Sequence, residues 1–92
     1  MTYMVANFDV GDYDKWKREV FDADPAGRKQ AAKGHLISRS VENPSDIFIR
    51  VEFASVDDAR SFRERLMGSS ALDNVNVKTP PTIVEVADEE TY

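Results

Sequence analysis

The clearest pattern in the chain is an alternation of apolar and polar residues between positions 47 and 53. A β-strand points successive side chains to opposite faces, so an apolar residue at every second position indicates one buried face. The apolar positions are Ile47, Ile49, Val51 and Phe53, and the positions between them are Phe48, Arg50 and Glu52. We predict that this strand buries the first set and forms a hairpin with a strand that begins near His35.

Two further strands are predicted near the ends of the chain. In residues 2–9, one face is wholly apolar (Met4, Ala6, Phe8) and the other is mixed (Tyr3, Val5, Asn7). In residues 82–87, we expect Val84 and Val86 to face the core and Ile83 and Glu85 to face away. The wholly apolar faces are expected to pack against helices.

Three segments between the strands predict helices. The first follows Asp9 and Asp12, either of which can cap it, and its apolar stripe consists of Tyr13, Trp16, Val20 and Phe21. Asp24-Pro25 predicts a short second helix over residues 25–33, because proline is favoured at a first helical position. A third helix is predicted over residues 56–67. Residues 69–81 show no decisive pattern beyond a potential helical turn at 70–73.

The order of these elements predicts a ferredoxin-like α+β fold, β-α-β-β-α-β, as a single domain over residues 1–92. In this plan a four-stranded antiparallel sheet carries the helices on one face, and the acidic tail, residues 88–92, is expected to be frayed. The other face has no cover from its own chain. Because several large side chains on it are apolar, we expect a second copy of the chain to pack there as a homodimer.

The register of the central hairpin decides which face receives the side chains of its first strand. If paired residue numbers sum to an even number, His35, Ile37, Arg39 and Val41 join the helix side of the sheet. An odd sum reverses this and can place Arg39 opposite Arg50, which like charges disfavour. We favour the even register, because it also buries Ile37 and Val41.

The amino-acid composition limits the partners and the metal sites that the chain can be expected to have. The formal charge is −5, of which Asp88, Glu89 and Glu90 supply −3, so no basic surface for nucleic acid is expected. The chain has no cysteine and a single histidine, which argues against a disulfide framework and against the usual zinc or iron sites. Apolar runs are short, so we predict a cytoplasmic protein with no membrane partner. Because the chain has no cysteine and one histidine, we also expect no metal cofactor.

Several short motifs are similar to those of a known superfamily. Asp12-Tyr13-x-x-Trp16 opens the first helix, Asn43-Pro44 lies in the hairpin turn, and Phe53-x-Ser55 leads to the third helix. With these motifs, the chain resembles the dimeric α+β barrel superfamily, in particular the antibiotic-biosynthesis-monooxygenase-like and cyclase-like small proteins. The resemblance implies a homodimer. It also implies cofactor-independent oxidation of electron-rich polycyclic phenols, in which the substrate's own carbanion reduces oxygen.

The resemblance also suggests site residues, because pockets of this group use asparagine, tryptophan and arginine. Asn7, Trp16 and Arg50 are residues of these types and are the predicted substrate-binding residues. His35 and Glu52 are the predicted catalytic residues, as candidate bases. Haem-degrading relatives take their iron-ligating histidine from the second half of the chain, where this sequence has none.

Each candidate also has a structural interpretation. Trp16 fits a core position, His35 fits a structural histidine, and Arg50 and Glu52 fit an ion pair across a dimer. We therefore carry two hypotheses. The first is a homodimer that binds a small aromatic or anionic molecule, with monooxygenase-like or polyketide-cyclase-like activity as its sharpest form. The second is a structural or regulatory dimer without a small-molecule site.

Overall fold

The computed structural model describes residues 1–92 and confirms the ferredoxin-like α+β fold. Four antiparallel strands form one sheet in the order β2-β3-β1-β4. The strands are β1 (Thr2–Asp9), β2 (Gly34–Arg39), β3 (Asp46–Phe53) and β4 (Asn76–Glu85). The helices are α1 (Tyr13–Trp16), which continues as a π-helical segment (Lys17–Phe21), then α2 (Arg28–Ala31) and α3 (Val56–Met67). No helix has the length and apolar composition needed to cross a membrane.

The core lies between the sheet and the helices. Ile47 and Val51 of β3 are its most completely buried large side chains, as the alternation predicts. Two aromatic pairs pack in this core. The ring centroids of Phe53 and Phe62 of α3 lie 5.4 Å apart, and those of Trp16 and Phe21 lie 5.3 Å apart. The sheet side that carries these residues is the helix face. The opposite side, without any helix, is the open face.

The central hairpin has the even register. His35 pairs with Val51 and Ile37 pairs with Ile49, so both side chains of β2 lie on the helix face. The predicted burial of Val41 is wrong, because β2 ends at Arg39 and Val41 is 91% exposed in the turn. In the observed register Arg39, rather than Val41, pairs with Ile47. Val41 therefore lies two residues beyond the last paired residue of β2.

Arg39 lies at the end of β2, where a charged side chain can leave the core. Its guanidinium carbon lies 4.3 Å from the ring centroid of Tyr13, and its Nε donates to the carbonyl oxygen of Pro44 at 2.9 Å. The even register therefore buries no unpaired charge at this position.

The predicted facing of the last strand is wrong. Ile83 pairs with Met4 on the helix face, whereas Val84 pairs with Tyr3 on the open face, and Val86 lies beyond the strand. Strand β4 also begins at Asn76 rather than at 82, and it includes two prolines. Proline is tolerated here because β4 is an outer strand of the sheet, with one edge that needs no ladder hydrogen bonds.

Side-chain caps start the first and third helices at the expected places, whereas the second helix begins later than predicted. Asp12 accepts a hydrogen bond from the backbone N–H of Lys15 at 3.1 Å, and Ser55 accepts one from Asp58 at 3.1 Å. Asp24 accepts from the backbone N–H of Arg28 at 2.7 Å. The short second helix begins at Arg28 rather than at Pro25, since the intervening Gly27 has a left-handed backbone with φ of 72°.

The first helix changes its winding after Trp16. In the π-helical segment Lys17–Phe21 the backbone N–H of Asp22 donates to the carbonyl oxygen of Lys17 at 2.9 Å, five residues back. Segments of this kind are rare and usually short. Here it leaves Trp16 and Phe21, five positions apart, buried side by side in the core.

Candidate binding groove on the open face

The five predicted site residues divide between the two faces of the sheet. Asn7 on β1 and Arg50 and Glu52 on β3 lie on the open face, as the alternation of both strands requires. Trp16 belongs to the core, and His35 lies on the helix face of β2. A single site on either side of the sheet therefore contains only part of the predicted set.

Asn7 and Arg50 come together in a groove on the open face with a volume of about 330 Å³. The open-face side chains that line the groove with them are Val5, Leu36, Ser38, Phe48 and Thr79. Small-molecule sites are commonly concave, mostly apolar and supplied with a few polar groups, in volumes of roughly 300–1,000 Å³. The groove has this mostly apolar character, and its volume lies near the lower end of this range.

The side chain of Asn7 is held in one orientation by two acceptors. Its Nδ2 donates to Oδ1 of Asp46 at 2.8 Å and to the carbonyl oxygen of Ile47 at 2.7 Å. Both amide hydrogens are therefore used within the chain. Asn7 offers the groove only its Oδ1, which is an acceptor, so it would receive a hydrogen bond from a ligand rather than donate one.

Arg50 supplies the positive charge of the groove. Its guanidinium carbon lies 4.8 Å from the ring centroid of Tyr3, and its side chain is exposed. The open-face carboxylates near it have other partners. Glu52 lies 3.7 Å from the ammonium of Lys33, and Asp46 lies 3.2 Å from that of Lys78. Arg50 makes no ion pair with either carboxylate.

Trp16 is a core residue in this structure. It is 7% exposed and packs its ring between Tyr13 and Phe21. It also lines an apolar cavity of about 60 Å³ between sheet and helices. An engineered apolar cavity that binds benzene measures about 150 Å³. The inner cavity is therefore too small for an aromatic ligand unless the surrounding side chains move.

His35 contacts the helices rather than the groove. Its ring meets that of Phe21 edge-to-face at 4.9 Å between centroids. Burial lowers the pKa of His35, and the nearby cations of Arg28 and Lys17 lower it further against the opposing effect of Asp22. The sheet separates the His35 side chain from that of Asn7, so His35 does not line the groove on the open face.

The residue types that hold metals are scattered. No three histidine, aspartate or glutamate side chains come together as a metal site would require.

Three residues that the sequence reasoning did not single out shape the groove. Asp46 orients Asn7, while Leu36 and Phe48 supply apolar walls. The alternation of β3 and the even register already predict Phe48 and Leu36 on the open face, and the structure places both there, although neither was among the predicted site residues. Asp46 gives no such signal, since its link to Asn7 joins residues 39 positions apart.

The fold and its surfaces define a small ferredoxin-like α+β protein with a groove on an uncovered sheet face. Three solved structures share the fold, each described as a “putative antibiotic biosynthesis monooxygenase”. The protein from Deinococcus radiodurans matches with a TM-score of 0.68 and 14% identity, covering 100% of this chain and 98% of its own. The proteins from Bordetella bronchiseptica and Nitrosomonas europaea match with TM-scores of 0.53 and 0.51 at 20% and 17% identity. Coverage of this chain and of theirs is 90% and 91% for the first of these and 91% and 94% for the second.

At these identities the likeness establishes the fold. No protein-family model matches the sequence, and no curated protein matches it.

Proposed function

We propose that the chain forms a homodimer through its open sheet face and binds a small aromatic molecule with an anionic oxygen in the Asn7–Arg50 groove. The observation that carries the proposal is the unpaired charge of Arg50 in a groove that is otherwise largely apolar. The sharpest form of this function is cofactor-independent monooxygenase-like or cyclase-like chemistry, which the fold of the three solved structures supports by analogy alone.

The apolar character of the open face supports the dimer. Leu36 and Phe48 are 49% and 48% exposed there, and Val84 lies on the same face. A chain of 92 residues buries a limited share of its surface on folding. A second copy that covers this face would remove the exposed apolar side chains from water, at about 25 cal/mol for each Å² of apolar area.

Dimer formation would change the surroundings of Arg50. A charge that is taken out of water without a partner costs several kcal/mol, on the order of the stability of a small protein. Since Glu52 and Asp46 already face lysines, the open face offers Arg50 no free carboxylate of its own near the groove. An anionic oxygen on a ligand would supply the missing partner and accept hydrogen bonds from the guanidinium.

The remaining groups of the groove suit a hydroxylated aromatic ligand. A ring would pack against Leu36 and Phe48, and a neighbouring hydroxyl would donate to Oδ1 of Asn7. Arg50 would favour the phenolate over the phenol by placing a positive charge beside the oxygen. That is the ionisation from which a substrate carbanion arises, so Arg50 would act by lowering the pKa of the substrate.

The two predicted catalytic residues stand differently towards this proposal. Glu52 lies on the same face but outside the groove lining, next to Lys33, where it would have to act from the rim. His35 lies on the other side of the sheet. We therefore assign the proposed binding role to Arg50 and Asn7. The Glu52→Gln variant described below tests whether Glu52 acts as the catalytic base.

The experiment uses 1-hydroxy-2-naphthoic acid as the probe, because it joins an aromatic ring, a hydroxyl and a carboxylate. Calorimetry should show binding to the native chain, and Arg50→Ala should abolish it while sedimentation still shows a dimer. The control is Arg60→Ala on the exposed side of α3, which removes the same charge away from the groove. Equal binding by Arg50→Ala and the control would remove Arg50 from the site.

A Glu52→Gln variant then separates binding from chemistry. If Glu52 acts as a base, turnover of a phenolic substrate should fall while binding of the naphthoate probe persists. A dimer that binds no aromatic anion would instead favour the structural or regulatory alternative, in which Phe48 and Leu36 fill the interface. A wild-type chain that sediments as a monomer at micromolar concentration would contradict both.

A further inference from the structure

A second groove lies on the helix-face side of strand β2, away from the Asn7–Arg50 groove. It has a volume of about 210 Å³ and is lined by Arg28, Lys29, Ala32, Lys33, Gly34 and His35. Four of these six residues carry a positive charge or can acquire one, and no carboxylate lines the groove. This is unexpected in a chain with a formal charge of −5.

The aromatic ring of Phe21 contacts several of the basic side chains at and near this groove. The guanidinium carbon of Arg28 lies 3.6 Å from the ring centroid of Phe21, with the His35 ring centroid at 4.9 Å and the ammonium of Lys17 at 5.5 Å. Cations are attracted to the face of an aromatic ring. Phe21 therefore helps to hold the cations of Arg28 and Lys17 close together, and its edge-to-face contact with His35 places that ring beside them.

Arg28 is fixed more firmly than a surface arginine. It is 6% exposed, and its Nη1 donates to the carbonyl oxygen of Phe21 at 3.2 Å. No fully buried side-chain nitrogen in the protein lacks a hydrogen-bond partner, so the nitrogens of Arg28 without a partner keep a small contact with solvent. A guanidinium held in this way can bind an oxyanion with little loss of conformational entropy.

The nearest carboxylates already have partners within the chain, and two of these partners, Arg28 and Lys33, are themselves groove residues. Asp24 caps the backbone N–H groups of Arg28 and Lys29 at 2.7 and 3.2 Å, and it lies 3.8 Å from Nη1 of Arg28. Asp22 pairs with Lys17 at 2.6 Å, outside the groove. The ammonium of Lys29 has no carboxylate within ion-pair distance.

We propose that this groove binds the phosphate group of a small phosphate monoester. The guanidinium of Arg28 would donate to the phosphate oxygens, and the ammonium of Lys29 would supply a point charge at the rim. The ammonium of Lys33 would be shared with Glu52, which lies 3.7 Å from it. The volume fits one such group with a small organic part. The lining residues of this groove differ from those of the Asn7–Arg50 groove, although Lys33 at its rim also lies 3.7 Å from Glu52 on the open face.

His35 would join the site when it is protonated. The charged groups that affect its pKa are Arg28, Lys17 and Lys29, which lower it in addition to burial, and Asp22, which raises it. A bound dianion would offset the cations and raise the pKa of His35. By linkage, affinity for the anion should then increase as the pH falls through that pKa.

The test follows the His35 ring protons by NMR, since this is the only histidine in the chain. Sodium sulfate, which stays a dianion throughout, should raise the His35 pKa by at least about half a unit in a saturable manner. Sodium chloride at the same ionic strength should not. Equal shifts with both salts would mean general screening and would overturn the site.

Two matched variants test whether phosphate binds in this groove. Lys29→Gln removes an exposed ammonium from the groove, and it should weaken binding of inorganic phosphate at pH 8 by about tenfold. Lys15→Gln removes the same charge from exposed helix α1 and should leave phosphate binding unchanged. Equal weakening by the two substitutions, or no weakening by Lys29→Gln, would contradict the proposal. Neither outcome bears on binding at the open face.

Discussion

The two faces of the sheet are built by alternate residues of the same strands, yet they have different chemistry. Ile49 is 8% exposed against the helices, while its neighbour Phe48 is 48% exposed on the other side. The helix face completes a core within one chain. The open face combines similar apolar side chains with Asn7 and Arg50, whose polar groups leave capacity for further partners. The helix face therefore stabilises the folded chain, while the open face is the one to which we assign the proposed binding function.

The largest expected effect comes from breaking the helix face. Phe62→Ala removes a 3%-exposed ring that packs against Phe53, and it should lower the free energy of unfolding by about 3–5 kcal/mol. Such a loss approaches the whole stability of a small domain. Urea denaturation monitored by circular dichroism measures it. A loss below about 1 kcal/mol would show that α3 is not a principal part of the core.

The next largest effect tests the proposed dimer separately from the folding of the chain. Phe48→Glu places a charge among the apolar side chains of the open face, so we expect dimer dissociation to become at least about 100-fold easier while the secondary structure persists. Met67→Glu is the control, because Met67 is 56% exposed, slightly more than Phe48, but lies on α3. Sedimentation equilibrium compares the two variants. If both dimerise like the wild type, the interface does not include the open face.

Asn7 tests whether the open face also stabilises the subunit. Asn7→Ala removes the donors to Asp46 and to the carbonyl oxygen of Ile47, and this should cost about 1–3 kcal/mol of unfolding free energy. Ser38→Ala, on the same face and without a side-chain partner in the chain, should cost less. Equal stability of the two variants in urea would indicate that the hydrogen bonds of Asn7 contribute nothing net.

The smallest effect concerns pH. Because the pKa of His35 is lowered in the folded chain, the unfolded chain binds the proton more readily. The contribution of His35 to stability is therefore complete above its unfolded pKa of about 6.5 and is lost as the pH falls below that value. Thermal melts of the wild type and His35→Asn between pH 5 and 8 should diverge only at the acid end. A constant difference over this range would contradict the lowered pKa.

The fold could be predicted where the two faces of an element differ clearly. The alternation around Ile49 identified β3 and its buried face, and avoidance of paired arginines selected the even register of β2. The last strand could not be predicted in the same way. Ile83 and Val84 are adjacent apolar residues, so the pattern does not reveal which one faces the core, and irregular pairing opposite Asn7 shifts the register of β4.

The open-face groove could be predicted in part. The alternation of β1 and β3 places Asn7, Arg50 and Glu52 on one face, but the orientation of the Asn7 amide depends on Asp46, which no local pattern connects to it. The burial of Arg28 is a similar case. Its environment is created by Phe21, on the far side of a left-handed turn, and a charged residue in a short helix normally indicates exposed surface.

The π-helical segment has a consequence for how the length of this chain can vary. In regular α-helical winding, residues five positions apart lie about 140° apart around the axis, whereas residues four apart lie about 40° apart. The wider turn lets Phe21 lie beside Trp16 despite five positions between them. Deleting the exposed Glu19 would leave a four-residue spacing, which an ordinary α-helix accommodates. We expect such a chain, one residue shorter, to keep the same core. The Phe21 ring beneath Arg28 and the loop that follows would also keep their positions.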